Sequence, residues 1–182
     1  MSTERTERDL ITGRFWFRES YGYVHELPKP EYAILFLKTI LHVAGADAKV
    51  SEPERNWVVG FAGVCGFPQN VLDELEVYQP GDSEIIEKFF HDTDMEYVKN
   101  ACFSILYYGL RAAAADGKLH PKELEAVYKL AKKLNVSEEE VQNILSFIDE
   151  ENKLIEKRAK TIFSNGLGTL LKVYDEKFLQ DK

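Results

Sequence analysis

Apolar residues recur with a helical period along most of the chain, from residue 31 to its end. In the segment 34–44 they return every three or four positions, which places them on one face of an amphipathic helix. Capping boxes of the form S-x-x-E at Ser51 and Ser137 predict where two further helices begin, and Gly166 predicts where one ends. No segment in this part of the sequence alternates as a half-buried strand would. The sequence therefore predicts an all-α fold.

The two ends of the chain differ from this helical body. Residues 1–12 are polar, with alternating charges, and are expected to lack structure. Residues 13–27 hold five aromatic residues without a helical period, so we expect an extended aromatic arm packed over the helical body, or alternatively an exposed patch for a partner. The expected organisation is a tail and arm over residues 1–29, a helical domain over 30–148 and a C-terminal helical extension over 149–182. The five aromatic residues are Phe15, Trp16, Phe17, Tyr21 and Tyr23.

The helical domain contains an internal repeat. When the sequence is shifted by 69 positions, residues 44–64 align with residues 113–133, and seven of the 21 aligned positions are identical. Apolar positions on both sides also agree, which predicts two repeats over about 31–76 and about 100–148. Each repeat is expected to form a helix, a tight turn, a second helix, a loop and a short helix. Two such helix-turn-helix-helix units should form one compact domain.

Both repeats keep the pattern D-x-K-[VL]-x-x-x-E, which contributes Asp47 and Glu54 in the first copy and Asp116 and Glu123 in the second. Each glutamate falls near the third residue of a helix, where a carboxylate caps the helix N-terminus. A pseudo-twofold relation between the repeats would also bring the four carboxylates together, and such a cluster would need a cation. Oxygen ligands suit calcium or magnesium. Plain helix caps and a weak divalent-cation site are therefore the two interpretations.

The second copy, ADGKLHPKELE, has the rhythm of the second half of an EF-hand loop. An EF-hand needs side-chain oxygen ligands at its first and third positions. With Gly117 as the sixth position, these ligands would be Ala112 and Ala114, which have no side-chain oxygen. A functional EF-hand is excluded.

Bulk properties limit the classes of partner. The formal net charge of −8 repels phosphate backbones and argues against nucleic-acid binding. No window holds eighteen apolar residues in a row, so no transmembrane segment is predicted. The charged start of the chain lacks the apolar region of a secretory signal, and we expect a cytoplasmic location.

Cys65 and Cys102 lie among aliphatic residues at helical spacing and are expected to be buried free thiols.

The two acidic turns also carry a resemblance to a known family. The stretch ADGKLHPKELEAVYKLAKKL, and less closely ADAKVSEPERNWVVGFAGVCG, resembles the TerB-like family of tellurite resistance proteins. It is also similar to the N-terminal domain of certain membrane-anchored DnaJ-type co-chaperones. The resemblance covers about residues 30–148 and implies a compact helical domain with acidic residues on one surface, which is suspected of holding a divalent metal. By this resemblance the metal ligands are Asp47, Glu54, Asp116 and Glu123.

The resemblance implies a role in stress responses to chemical or metal insult, without an established catalytic activity. The expected function is a non-enzymatic binding module within such an assembly, with protein partners. No cofactor is expected beyond the divalent cation. The alternative is a structural or interaction protein that acts through its aromatic arm and its C-terminal amphipathic helices, on a protein partner or on a membrane surface. The oligomeric state is open, with a homodimer as one candidate.

Overall fold

The structure, a computed structural model, describes residues 4–23, 25–45, 50–79, 81, 95–117 and 119–178. Within these ranges the chain forms α-helices, one short 3-10 turn and no strand, which confirms the predicted all-α class. In chain order the helices are α1 (Glu7–Tyr21), α2 (Pro30–Ala44), α3 (Glu52–Val64), α4 (Gln69–Val77), α5 (Met95–Ala113), α6 (Pro121–Lys133), α7 (Glu138–Ile162) and α8 (Leu167–Phe178), with the 3-10 turn Ala114–Asp116 after α5.

The internal repeat is visible in the positions of the helices. Helices α3 and α6 begin at residues 52 and 121 and end at 64 and 133, a constant offset of 69. Helices α2 and α5 end at residues 44 and 113, with the same offset. These two equivalent helices make the most extensive contact of any helix pair in the described structure. The repeats therefore share one core rather than forming two separate ones.

Leucine, isoleucine and valine side chains from both repeats fill this core. Helices α2 to α6 each bury the face that their apolar period predicts, since helix surfaces place residues three and four apart side by side. Their burial is the main source of stability, about 1.5–3 kcal/mol for each fully buried aliphatic side chain. The core residues with no measurable exposure include Leu37, Ile40, Leu41, Val58, Leu75, Ile105, Leu106, Val127 and Val141.

The N-terminal segment is helical, which corrects the expectation of a disordered tail and an extended aromatic arm. Helix α1 begins with a capping box in which the Thr6 side chain accepts from the Asp9 backbone N–H and the Asp9 carboxylate accepts from the Thr6 N–H. Its inner face packs against α3, and Trp16 and Phe17 lie partly buried against the core. The expected packing over the helical body is therefore present, but it is made by a helix.

The chain divides into two compact units, residues 1–141 and residues 142–182. The first contains α1, the first repeat and the second repeat as far as residue 141. The second contains most of α7 and all of α8, which follows a turn with Gly166 in the left-handed region at φ 83°. The long helix α7 runs without interruption from Glu138 to Ile162.

Candidate functional site

The two repeats build the same turn at the N-termini of α3 and α6. In the first, the backbone N–H of Ser51 donates to Glu54 Oε2 at 2.6 Å, and the Ser51 hydroxyl accepts from the Glu54 N–H at 3.4 Å. In the second, the backbone N–H of His120 donates to Glu123 Oε2 at 2.7 Å. Each glutamate satisfies a backbone donor that a helix start would otherwise leave unpaired. The predicted capping role is confirmed for both glutamates.

These two capping carboxylates meet inside the protein. Glu54 is only 3% exposed and Glu123 only 1%, and their carboxyl groups lie close enough to interact by a hydrogen bond. Because ionised carboxylates have no hydrogen to donate, a hydrogen bond between these two groups requires a proton on one of them. Burial, together with the hydrogen bond and negative charge of Glu54, raises the pKa of Glu123 to about 7, against the lowering effects of the His120 backbone N–H and of the His120 side-chain charge. The pair therefore shares a proton up to neutral pH.

Of the two aspartates that precede these turns, the structure describes only Asp116. Asp116 ends the 3-10 turn, which packs against α3 of the other repeat. Its Oδ2 atom lies 3.6 Å from Nε2 of His120, and its side chain is 31% exposed. Asp47, the predicted counterpart of Asp116, lies outside the described residues. Of the four predicted ligands, the structure thus brings Glu54 and Glu123 into contact and places Asp116 beside the second turn.

The metal site itself stays a prediction. Among the residues that the structure describes, no group of three or more acidic, histidine or cysteine side chains is arranged to hold a metal ion. Two buried carboxylates from symmetric turns nevertheless provide the oxygen chemistry that calcium or magnesium requires.

No protein-family model and no curated protein matches this sequence. Among solved structures, the chain is similar to a tellurite resistance protein from Nostoc punctiforme PCC 73102. The two structures match with a TM-score of 0.76 and 26% sequence identity, over 88% of this chain and 97% of the other. The fold is TerB-like. The similarity to DnaJ-type co-chaperones stays a prediction.

In this TerB-like fold, His120 has a larger role than the sequence indicated. The internal repeat does not single it out, because Ser51 occupies the equivalent position in the first repeat. The structure shows its backbone N–H on the Glu123 carboxylate and its ring beside Asp116. One feature of the sequence does indicate this role: His120 directly precedes Pro121, at the N-cap position that Ser51 occupies in the first repeat. The sequence could not show that the two glutamates touch, because that depends on how the repeats pack.

Both cysteines are buried thiols outside any disulfide, as predicted. Burial raises the pKa of the Cys65 thiol to about 12, so this thiol is neutral at physiological pH and chemically quiet. Within the part of the chain that the structure describes, no helix is long and apolar enough to cross a membrane.

Proposed function

We propose that this TerB-like protein is a non-enzymatic binding module of a tellurite- or metal-type stress response, and that it holds a divalent cation between its two acidic turns. The observation that carries this proposal is the contact between Glu54 and Glu123, two nearly inaccessible carboxylates from equivalent positions in the two repeats. Two such groups repel each other when both are ionised. A cation between them offsets that repulsion, as the shared proton does at lower pH.

The hydrogen bonds of the two helix caps indicate which carboxylate oxygens are available to bind the cation. Each glutamate uses Oε2 to accept a backbone N–H, and its second oxygen is the one offered to a cation. Asp116, and Asp47 from the first repeat, are the further ligands in this proposal. An all-oxygen set of carboxylates favours calcium or magnesium over softer metals.

The burial of the pair also supports a role in binding rather than catalysis. A catalytic carboxylate must reach the reacting atoms of a substrate, whereas Glu54 and Glu123 are almost fully enclosed. Turnover of phosphatase or esterase substrates, lost in Asp116→Asn, would contradict this part of the proposal.

The test is an amide NMR titration with calcium, magnesium, zinc and manganese. The proposal expects one ion to shift or broaden the amides of residues 50–54 and 114–123 together and saturably. Glu123→Gln and Asp116→Asn should each weaken this response, while Glu125→Gln, an exposed acid on the same helix, should leave it unchanged. Amides that stay still at millimolar ion would overturn the cation site and leave the acids as helix caps.

A second candidate function rests on α7 and α8. Their exposed apolar side chains suggest a surface for a protein partner or a membrane. Two of the basic residues of α7, Lys153 and Lys160, pair with Asp149 and Glu156 of the same helix, both at 2.5 Å, which weakens their attraction for an acidic surface. The exposed apolar residues are Phe147, Leu154, Ile155, Ile162, Leu167, Leu170, Leu171, Val173 and Tyr174.

Deletion of residues 150–182 tests this second candidate. A change in mass by analytical ultracentrifugation, or loss of binding to phospholipid vesicles, would support it. A truncated chain that matches the full chain in both assays would exclude it.

A further inference from the structure

An apolar recess of about 390 Å³ opens within the first unit, away from the acidic turns. Its floor consists of buried residues, among them Leu37, Cys65 and Phe67. Half-buried aromatic rings, including Phe61 and Tyr108, form its walls. Among the described residues that line it, none carries a charged side chain. This volume lies within the range of small-molecule sites, which are mostly apolar and concave.

Helix α1 forms one wall of the recess and is held there by close backbone contacts. A Cβ atom on Gly13 would lie 2.7 Å from the Cys65 carbonyl oxygen, and one on Gly66 would lie 2.2 Å from the Asp9 carbonyl oxygen. The Arg5 guanidinium adds a hydrogen bond to the Gly66 carbonyl at 2.7 Å. Because α1 is docked so tightly, the wall that it provides is part of the folded structure.

The polar groups of the wall have partners within the protein. The Ser104 hydroxyl donates to the Ala101 carbonyl at 2.8 Å, and the hydroxyls of Tyr21 and Tyr108 are hydrogen bonded to each other. A ligand would therefore gain little from a charged or strongly polar group, and burying such a group without a partner is costly. The wall chemistry selects an uncharged, apolar occupant.

The shape of the recess favours a small molecule over a protein partner. A protein surface would need exposed apolar area around the opening, but only Tyr21 and Pro28 of the lining residues are exposed. An engineered cavity of about 150 Å³ accommodates benzene, so a volume of about 390 Å³ has room for a molecule two to three times as large. A bicyclic or tricyclic aromatic molecule, or a medium-length acyl chain, fits this description.

We propose that the recess between α1, α2, α3 and α5 is a binding site for one uncharged, apolar small molecule of this size. The aromatic walls contact its faces, and the buried floor excludes water from its inner end. This site is separate from the acidic turns, since no lining residue belongs to either of them.

The experiment uses the full chain and the neutral fluorescent probe N-phenyl-1-naphthylamine. The rings of Trp16 and Trp57 lie 6.5 and 5.5 Å from the ring of Phe61 in the wall, so a bound probe should quench tryptophan fluorescence by energy transfer. We expect saturable binding with one probe per chain, and competition by the uncharged aliphatic molecule 1-decanol. Ala101→Leu, which adds bulk to the wall, should weaken the affinity at least about tenfold, as small excesses of volume do in apolar pockets.

Two further variants keep the test decisive. Ala159→Leu makes the same substitution at an exposed position of α7 and should bind the probe as the wild type does. Tyr21→Ala changes the exposed mouth without entering the core, and should weaken binding about twofold to tenfold through loss of an aromatic contact. If circular dichroism shows that Ala101→Leu has not folded, the affinity of Tyr21→Ala for the probe tests the binding site instead. Absence of saturable binding, or equal affinity in Tyr21→Ala and wild type, would overturn the proposal.

Discussion

The contact between Glu54 and Glu123 predicts that part of the protein's stability falls as the pH rises towards neutral. The pKa of Glu123 is raised from 4.5 to about 7 in the folded protein. Below pH 4.5 Glu123 is protonated in both the folded and the unfolded protein, and its full contribution to the free energy of unfolding is present. Between the two values the folded protein keeps a proton that the unfolded chain has lost, so raising the pH favours unfolding. At about 1.4 kcal/mol for each pH unit, the free energy of unfolding falls by up to about 3 kcal/mol across this window.

Glu123→Gln isolates this contribution. Its uncharged amide can donate a hydrogen bond to Glu54 and accept from the His120 N–H, as the protonated glutamic acid does. We expect the variant to be more stable than wild type by about 1 kcal/mol at pH 5.5 and by about 3 kcal/mol at pH 8, with the gap widening between these values. Equilibrium urea unfolding, followed by circular dichroism with a chelator present, measures the free energy of unfolding at each pH.

Glu125→Gln is the matched control. Glu125 lies on the same helix but is exposed and paired with Lys129 at 2.7 Å, so its stability profile should run parallel to that of wild type from pH 5.5 to 8. If the Glu123→Gln profile were also parallel to wild type, the idea of a shared proton would be refuted.

Four substitutions test the packing. Gly13→Ala should destabilise the fold by about 1–3 kcal/mol, because the new methyl group meets the Cys65 carbonyl oxygen at 2.7 Å. Gly60→Ala, within α3 and with nothing within 4 Å of the added Cβ, should stabilise it by about 0.5–1 kcal/mol; urea unfolding measures both, and the same sign for the two would contradict the close packing of α1. Leu41→Ala, at a position with 0% exposure, should cost about 2–5 kcal/mol in the same assay. Leu154→Ala, at a position 63% exposed, should change stability by less than about 0.5 kcal/mol, and an equal loss in both leucine variants would contradict the assigned core.

The helices of the two repeats could be predicted because their signals are local. Ser51 and Glu54 form the expected capping box, and the second repeat carries the same turn at an offset of 69 residues. Helix α1 was missed although its sequence holds a comparable signal, the pair Thr6 and Asp9. Its buried face centres on Gly13, which has no apolar side chain. The helical period of apolar residues is therefore interrupted at the position where α1 packs most tightly.

The chemistry of the site was only partly predictable, because it depends on distances between repeats. The repeat indicated that the four acids could converge, and two of them do. The shared proton requires that Glu54 and Glu123 be both buried and in contact, and neither property can be read from residues 69 positions apart. The apolar recess depends in the same way on α1, whose aromatic residues the sequence placed on an extended arm.

The shared proton also provides a way to distinguish a cation site from plain helix caps. A proton and a divalent cation would occupy the same space between Glu54 and Glu123, so they should compete. At pH 8 the proton has mostly left, and a bound cation should restore stability, by about 2.7 kcal/mol at a concentration one hundred times its dissociation constant. At pH 5.5 the same concentration should add much less, because the cation must first displace the proton. Urea unfolding with and without magnesium or calcium measures both values, and equal stabilisation at the two pH values would locate the cation elsewhere on the protein. No stabilisation at either pH would leave the two glutamates as caps that share a proton.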